Sequence, residues 1–186
     1  MTTREAEIIS LIKKEVKPAL GCTEPIAVAL AVAKAMEIIE EKSPVSEQDW
    51  RFCSDYSISI EVSGNILKNG MGVGIPGTGM VGLYIAAALG AVCGKSSYGL
   101  EVLHDLDEKS IAKAKELTDR KVVKIGLADT DKKLYIKASV TLGEHTSCAV
   151  IADDHDRIIE TDFDDTVLSS LQCNDSNENP EQKKTR

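Results

Sequence analysis

Residues 26–33 are apolar on every side of a predicted helix, and this pattern restricts the fold more than any other. A second apolar run, residues 80–93, contains no charged side chain and includes two glycines. This run is too short for the hydrocarbon core of a bilayer, which needs about 20 residues. We therefore expect two helices that are buried in a protein core or against another subunit.

Periodicity and capping signals predict the other elements. Residues 3–16 fit an amphipathic helix, and Thr23 is a suitable cap for the apolar helix, which extends to about Lys42. Residues 56–64 alternate polar and apolar side chains, which is typical of a half-buried strand, and a glycine-rich turn follows them. The remaining predicted elements are a helix from near Asp107 and antiparallel strands at residues 121–128, 133–143, 146–152 and 156–160.

These elements predict an α+β fold in which buried apolar helices pack on a small antiparallel sheet, with a glycine-rich loop at a helix amino terminus. We expect one amino-terminal domain over residues 1–160. Residues 161–186 are acidic and then polar, and from about Asn174 they carry no large apolar side chain. Such a segment cannot bury enough apolar surface to fold, so we predict a disordered tail.

Charge and composition exclude several classes of function. The chain has 22 basic and 30 acidic residues, a net charge of −8 and only 4% aromatic residues. It therefore offers neither a basic surface for nucleic acid nor platforms for stacking bases. Charges occur in every turn of the opening segment, which argues against a secretion signal and predicts a cytoplasmic protein without a membrane partner. The five cysteines are an odd number without close pairing, and we expect them to be reduced.

The glycine-rich stretch at residues 72–82 has several interpretations. It contains two overlapping matches to G-x-G-x-x-G, but Pro76 and the hairpin pattern downstream argue against a dinucleotide fold. Alternatively, Thr78 and Gly79 lie at the amino end of the helix predicted from Met80, where free N–H groups attract a carboxylate or phosphate. The glycines also fit a purely structural role, since they let the loop turn and the helix pack closely.

Cys22 lies directly before the start of the first apolar helix. The helix dipole favours the thiolate form there, which suits a nucleophile, a redox thiol or a metal ligand. A buried and unreactive cysteine is the other interpretation, and it also fits Cys53, Cys93 and Cys148. Cys173 lies in the predicted tail, and the sequence contains no C-x-x-C pair or histidine-containing metal motif.

Three sequence blocks resemble a known enzyme family. "PALGCTEPIAVALA" at residues 18–31 and "NGMGVGIPGTG" at residues 69–79 resemble the amino-terminal half of the L-cysteine desulfidases, which are related to the iron–sulfur L-serine dehydratases. "GEHTSCAVI" at residues 143–151 is similar to the family's hairpin with a His-Thr pair. The resemblance covers about residues 5–160.

The resemblance implies a β-elimination on a four-iron four-sulfur (4Fe-4S) cluster that three cysteines hold. In that family the substrate binds an open iron, and a base removes the α-proton of L-cysteine or L-serine. The products are pyruvate and ammonia, with sulfide or water. The resemblance assigns Cys22 as the first cluster ligand, whereas the family's other two cluster cysteines lie in a carboxy-terminal half that the resemblance does not reach.

Other residues join Cys22 in the predicted site. The loop at Gly77, Thr78 and Gly79 would cradle the substrate carboxylate. Glu24 is a candidate base and His145 a candidate for orienting substrate, although Glu24 also complements the helix dipole and His145 also fits a solvated turn. We expect a small amino-acid substrate and a partner chain, a missing carboxy-terminal half or a homo-oligomer. The alternative is a non-catalytic module that binds a small anion or pairs with a catalytic chain.

Overall fold

A computed structural model describes residues 3–15, 19–43 and 54–171. The predicted α+β class is confirmed, with five α-helices and one six-stranded sheet in this part of the chain. The helices are α1 (Thr3–Glu15), α2 (Thr23–Lys42), α3 (Gly64–Gly70), α4 (Leu83–Cys93) and α5 (Glu108–Asp119). The strands are β1 (Tyr56–Val62), β2 (Val123–Leu127), β3 (Tyr135–Leu142), β4 (His145–Ala152), β5 (Ile158–Phe163) and β6 (Thr166–Ser170). Within these residues, no helix combines the length and the apolar character that a membrane crossing requires.

Helices α2 and α4 form the centre of the fold, as the two apolar runs predict. Residues 26–33 are all buried, and the two helices approach each other very closely. A Cβ on Gly90 would lie only 2.4 Å from the carbonyl oxygen of Ala29, so this contact requires glycine. Helix α4 begins at Leu83 rather than near Met80, because a β-bridge between residues 74 and 81 extends the preceding loop.

The helices predicted over residues 3–16 and from near Asp107 are also confirmed, as α1 and α5. Helix α5 begins after Asp107, whose Oδ1 accepts a hydrogen bond from the backbone N–H of Ser110 at 2.7 Å. This bond satisfies one of the free N–H groups at the start of the helix. Helix α5 packs on α4, whereas α1 has no extensive contact with any other described element.

The sheet is mixed rather than antiparallel. Its strand order is β2-β1-β3-β4-β5-β6, and β1 pairs in parallel with β2 while all other neighbours are antiparallel. We expected residues 121–128 to belong to an antiparallel meander, but they form the edge strand β2 beside β1. Parallel neighbours need a long crossover connection, and the segment with α3, α4 and α5 lies within that crossover.

Helix α2 packs along one face of the sheet. Alternation along β1 buries Ile58 and Ile60 against the helices and leaves Ser59 and Glu61 exposed on the other face. The Oγ of Ser147 donates a hydrogen bond to a carbonyl oxygen in the second half of α2 at 2.7 Å. Since Ser147 lies near the start of β4, the beginning of α2 points toward the opposite end of the sheet.

The sheet extends past residue 160, where we expected the domain to end. Residue 160 lies within β5, and β6 adds an edge strand. Asp164 and Asp165 connect these strands with φ angles of 47° and 61°, the left-handed conformation that tight hairpin turns need. Helix α3 replaces the start of the glycine-rich turn predicted after β1. The tail predicted from Asn174 lies outside the described residues.

Candidate functional site

Cys22 lies directly before α2 in an extended conformation, and its side chain is exposed. Its Sγ donates a hydrogen bond to Oε2 of Glu24, in the first turn of α2, at 2.8 Å. Oε1 of Glu24 accepts a longer hydrogen bond, 3.4 Å, from Nδ2 of Asn69 in α3. His155, in the turn between β4 and β5, acts electrostatically on Glu24. We call these four residues the Cys22 cluster.

The Glu24 carboxyl has a pKa below its ordinary value. The main cause is the hydrogen bond that it accepts from the Cys22 thiol, and Asn69 and His155 act in the same direction. The side chain is therefore a carboxylate at neutral pH. Its negative charge in the first turn of α2 also complements the helix dipole, as expected from the sequence.

The pKa of the Cys22 thiol is raised, first by its hydrogen bond to Glu24 and then by partial burial. The prediction that the helix dipole keeps this thiol ionised is therefore wrong. The protonated thiol donates to the Glu24 carboxylate, which favours the S–H form, and the carboxylate also disfavours a second negative charge at this position. In this state Cys22 is a proton donor, and Glu24 is its acceptor.

The glycine-rich loop packs beside Cys22. Gly21 has a φ of 108°, and a Cβ on it would lie 2.9 Å from Cδ of Pro76. The proline ring thus packs on the backbone directly before Cys22. This contact brings together residues 18–31 and residues 69–79, the first two sequence blocks that carry the family resemblance.

The loop does not place its central residues at a helix start. The Oγ1 of Thr78 donates a hydrogen bond to the carbonyl oxygen of Ile75 at 2.8 Å and accepts one from a loop N–H at 3.0 Å. Because α4 begins at Leu83, the N–H groups of Thr78 and Gly79 lie outside its first turn. A role for Gly77, Thr78 and Gly79 in binding a substrate carboxylate stays a prediction.

His145 lies at the other end of the sheet from Cys22. Ser147, two residues further along β4, bonds to the carbonyl oxygen of Ala35 in α2. Ala35 lies thirteen residues after Cys22, which corresponds to about 20 Å along a helix. The structure therefore does not bring His145 to Cys22.

His145 has local partners of its own. Its Nδ1 lies 2.8 Å from Oδ2 of Asp164, and its ring stacks on Phe163 with centroids 5.4 Å apart. The histidine that acts electrostatically on Glu24 is His155, to which the sequence assigns no functional role. No local pattern marks His155, because its effect on Glu24 depends on the tertiary fold. Asn69, in contrast, opens a sequence block that carried the resemblance.

The other described cysteines, the half-buried Cys93 and the buried Cys148, have environments that suit a small apolar side chain. Burial raises the pKa of both the Cys93 and the Cys148 thiols, that of Cys148 to about 11. The Sγ of Cys93 donates a hydrogen bond to the carbonyl oxygen of Leu89 in the same helix at 3.4 Å. Cys53 and Cys173 lie outside the described residues.

The described residues do not fit a metal centre of their own. Over residues 3–15, 19–43 and 54–171, no group of three or more His, Cys, Asp or Glu side chains is arranged to hold a metal ion. Cys22 is the one predicted cluster ligand among them, and a four-iron cluster needs further thiolates. The expectation of a metal-binding chain is thus corrected. A 4Fe-4S cluster shared with residues from elsewhere stays a prediction.

The chain is similar to bacterial proteins named UPF0597 protein. It is 46% identical over 170 residues to one from Parabacteroides distasonis, a match that covers 91% of this chain and 37% of the relative. For one from Shewanella pealeana the values are 47% over 151 residues, 81% and 33%. For one from Caldanaerobacter subterraneus subsp. tengcongensis they are 44% over 167 residues, 90% and 37%. The chain spans about a third of the length of these relatives. No family model and no solved structure matches the chain.

These relatives correct the family that we expected from the sequence. Matches at 44% to 47% identity over most of the chain carry the UPF0597 name rather than that of a cysteine desulfidase or serine dehydratase. That name describes neither a lyase nor an iron–sulfur protein. The first two residue blocks that suggested the resemblance lie in contact, but the matching names do not assign them an activity.

Proposed function

We propose that this chain contributes one part of a composite active site that carries out β-elimination on L-cysteine or L-serine. In this reaction the Cα–H bond and the Cβ–S or Cβ–O bond break, and an aminoacrylate forms. Its hydrolysis gives pyruvate and ammonia, with sulfide or water as the other product. The observation that carries the proposal is the exposed thiol of Cys22 in hydrogen-bond contact with the carboxylate of Glu24.

The Cys22 cluster is suited to moving a proton at a sulfur atom. If Cys22 were to ligate an iron cluster completed by the other part of the site, it would do so as a thiolate, and its S–H proton would pass to Oε2 of Glu24, 2.8 Å away. Asn69 holds the other carboxylate oxygen, so that Oε2 stays directed at the thiol. His155 also acts electrostatically on Glu24, in the direction that favours its carboxylate form.

In this proposal, the remaining groups of the site come from a second region, which corresponds to the part of the relatives that this chain does not match. The chain spans 37% of the Parabacteroides distasonis relative, so most of that relative lies outside the matched region. The proposal also places the protein in the cytoplasm. The three described cysteines, Cys22, Cys93 and Cys148, are all free thiols, as expected in a reducing compartment.

A two-component assay tests the proposal. This chain is mixed with a second polypeptide, the part of the Parabacteroides distasonis relative that it does not match. Pyruvate released from L-cysteine and from L-serine is measured without oxygen, for each polypeptide alone and for the mixture. We expect pyruvate from the mixture and none from this chain alone.

Two cysteine variants assign the activity to the cluster. Cys22→Ser removes the thiol, so we expect pyruvate formation by the mixture to be lost. Cys93→Ser is the matched control, because this half-buried cysteine lies outside the cluster, and we expect activity to be retained. Pyruvate formation that survives Cys22→Ser contradicts the proposal. So does a mixture that forms a stable complex and releases no pyruvate.

A non-catalytic module that binds a small anion or pairs with a catalytic chain is the second candidate. The raised pKa of Cys22 favours it, because a protonated thiol is a poor nucleophile and a poor metal ligand. Under this alternative, Cys22→Ser leaves both complex formation and any activity of the mixture unchanged. The same assay therefore separates the two candidates.

A further inference from the structure

Helix α1 presents an apolar surface that the described part of the chain does not cover. Its side chains Ile8, Ile9, Leu11 and Ile12, called here the α1 face, are 48%, 40%, 58% and 52% exposed. Their spacing places them on one side of the helix. Concentrated apolar exposure of this kind marks an interaction surface rather than ordinary protein surface.

The exposed apolar side of α1 calls for a partner. A helix of 13 residues is marginally stable alone in water, and most helices in proteins depend on packing of their apolar side. Helix α2, the next in the chain, packs against α4, β3 and β4, whereas α1 has no extensive contact with a described element. The partner of the α1 face therefore lies beyond the described residues.

We propose that the α1 face binds the second region of these proteins, which is the part of the relatives that this chain does not match. The Parabacteroides distasonis relative joins a matched region, 37% of its length, to a longer unmatched region. In that relative, the matched and unmatched regions belong to one polypeptide, so they are always present together. A second copy of this chain has no such covalent connection to the first. This inference rests on the proposed function only in taking the site to be composite.

The α1 face precedes the Cys22 cluster in the chain, since Ile12 lies ten residues before Cys22. Leu20, two residues before Cys22, is a further exposed apolar side chain, 37% exposed. The N–H of Leu20 donates a hydrogen bond to the carbonyl oxygen of Leu100 at 3.3 Å, which attaches this segment to the core. The α1 face therefore lies on the segment of chain that leads to the exposed thiol of Cys22.

Paired charge substitutions test the docking. Binding of this chain to the separately expressed unmatched region of the Parabacteroides distasonis relative is measured by isothermal titration calorimetry. The variant Ile8→Glu/Ile12→Glu places two carboxylates on the α1 face. The control Ala6→Glu/Ser10→Glu adds the same charges at the same spacing on the opposite, also exposed, side of α1. Circular dichroism and thermal unfolding verify that both variants are folded.

We expect Ile8→Glu/Ile12→Glu to weaken binding at least about 30-fold, since buried anchors dominate such interfaces and charge cannot be buried there unpaired. The control should bind within about twofold of the parent chain. Equal binding by both variants overturns the inference, as does a parent chain that does not bind. Self-association through the α1 face without binding of the second polypeptide also overturns it. A complex that depends on the α1 face but releases no pyruvate supports the docking and contradicts only the proposed function.

Discussion

Helices α1 and α2 are neighbours in sequence and opposites in environment. Both are rich in apolar side chains, but residues 26–33 of α2 are completely buried, while the described side chains of α1 are all exposed. The local pattern predicts each helix correctly. It does not reveal whether the surface against which a helix packs belongs to the described part of the chain. Apolar content therefore predicts that a helix must pack, and the tertiary structure shows whether it has done so.

The first prediction tests the tightest contact of the packed region. Gly90→Val should lower the free energy of unfolding by about 3 kcal/mol or more, because a Cβ there would lie 2.4 Å from backbone of α2 that cannot move aside. Urea denaturation measures the change. Gly126→Val in β2 is the control, since a Cβ at Gly126 meets nothing within 4 Å, and it should be nearly neutral. Equal midpoints for the two variants would contradict close packing of α2 on α4.

The second prediction concerns a cavity that is created by shortening a buried side chain of α2. Leu30 is 1% exposed, and Leu30→Ala should cost about 2–5 kcal/mol of unfolding free energy. The loss combines the transfer energy of the removed atoms with that of the cavity left behind. Chemical denaturation gives the value, and a loss below about 1 kcal/mol would show that this helix is less well packed than described.

The third prediction extends the contrast to the buried Cys148. Its pKa is about 11 in the folded protein because burial disfavours the thiolate, against an ordinary value of 9.0. As pH rises through this window, the unfolded state loses the proton first, so the free energy of unfolding should fall between about pH 9 and pH 11. Cys148→Ala should show a shallower decline in denaturation curves, with Asp162 and Lys137 present in both proteins. If the free energy of unfolding fell equally steeply with pH in both proteins, burial would not suppress ionisation of the Cys148 thiol.

The fourth prediction concerns the exposed thiol at the junction of the two regions. Glu24→Gln weakens the hydrogen-bond acceptor and removes the negative charge that both raise the pKa of Cys22, so this pKa should fall and alkylation by iodoacetamide at pH 8 should accelerate. Mass spectrometry follows modification at Cys22. Glu7→Gln, a like change in exposed α1, should leave the rate unaltered. An unchanged rate in Glu24→Gln would show that the carboxylate does not control the thiol.

The smallest effect is expected in α1. Leu11 is 58% exposed, so Leu11→Ala should change the unfolding free energy of the free chain by less than about 0.5 kcal/mol. The substitution is chemically the same as that at Leu30, so the difference between the two measures burial alone. A large loss at Leu11 would mean that α1 is already packed in the free chain.

Sequence patterns predict the helices and the core well because those depend on local periodicity. They miss the parallel pairing of β1 with β2, since partner choice between distant strands leaves no local signal. They also miss β6, whose Asp164–Asp165 turn is a weaker hairpin signal than Asn-Gly. For similar reasons the sequence locates Cys22 and Glu24 at a helix start but does not indicate that His155 acts electrostatically on Glu24.

The thiol shows a further limit of sequence reasoning. The helix dipole at Cys22 can be anticipated from a helix start, and it predicts an ionised sulfur. The direction of the Glu24 side chain cannot be anticipated, because it depends on rotamers and on contact with Asn69. One hydrogen bond of 2.8 Å reverses the expected direction of the pKa shift.

Strand β1 lies between β2 and β3, yet both neighbours follow it at a long distance in the chain, since Ile58 pairs with Val123 and with Val140. During synthesis on the ribosome, β1 and the apolar α2 therefore emerge well before either partner strand exists. Closing such long loops is slow compared with forming the consecutive hairpins from β3 to β6. The newly made chain is for this reason the form most prone to aggregation and to capture by chaperones.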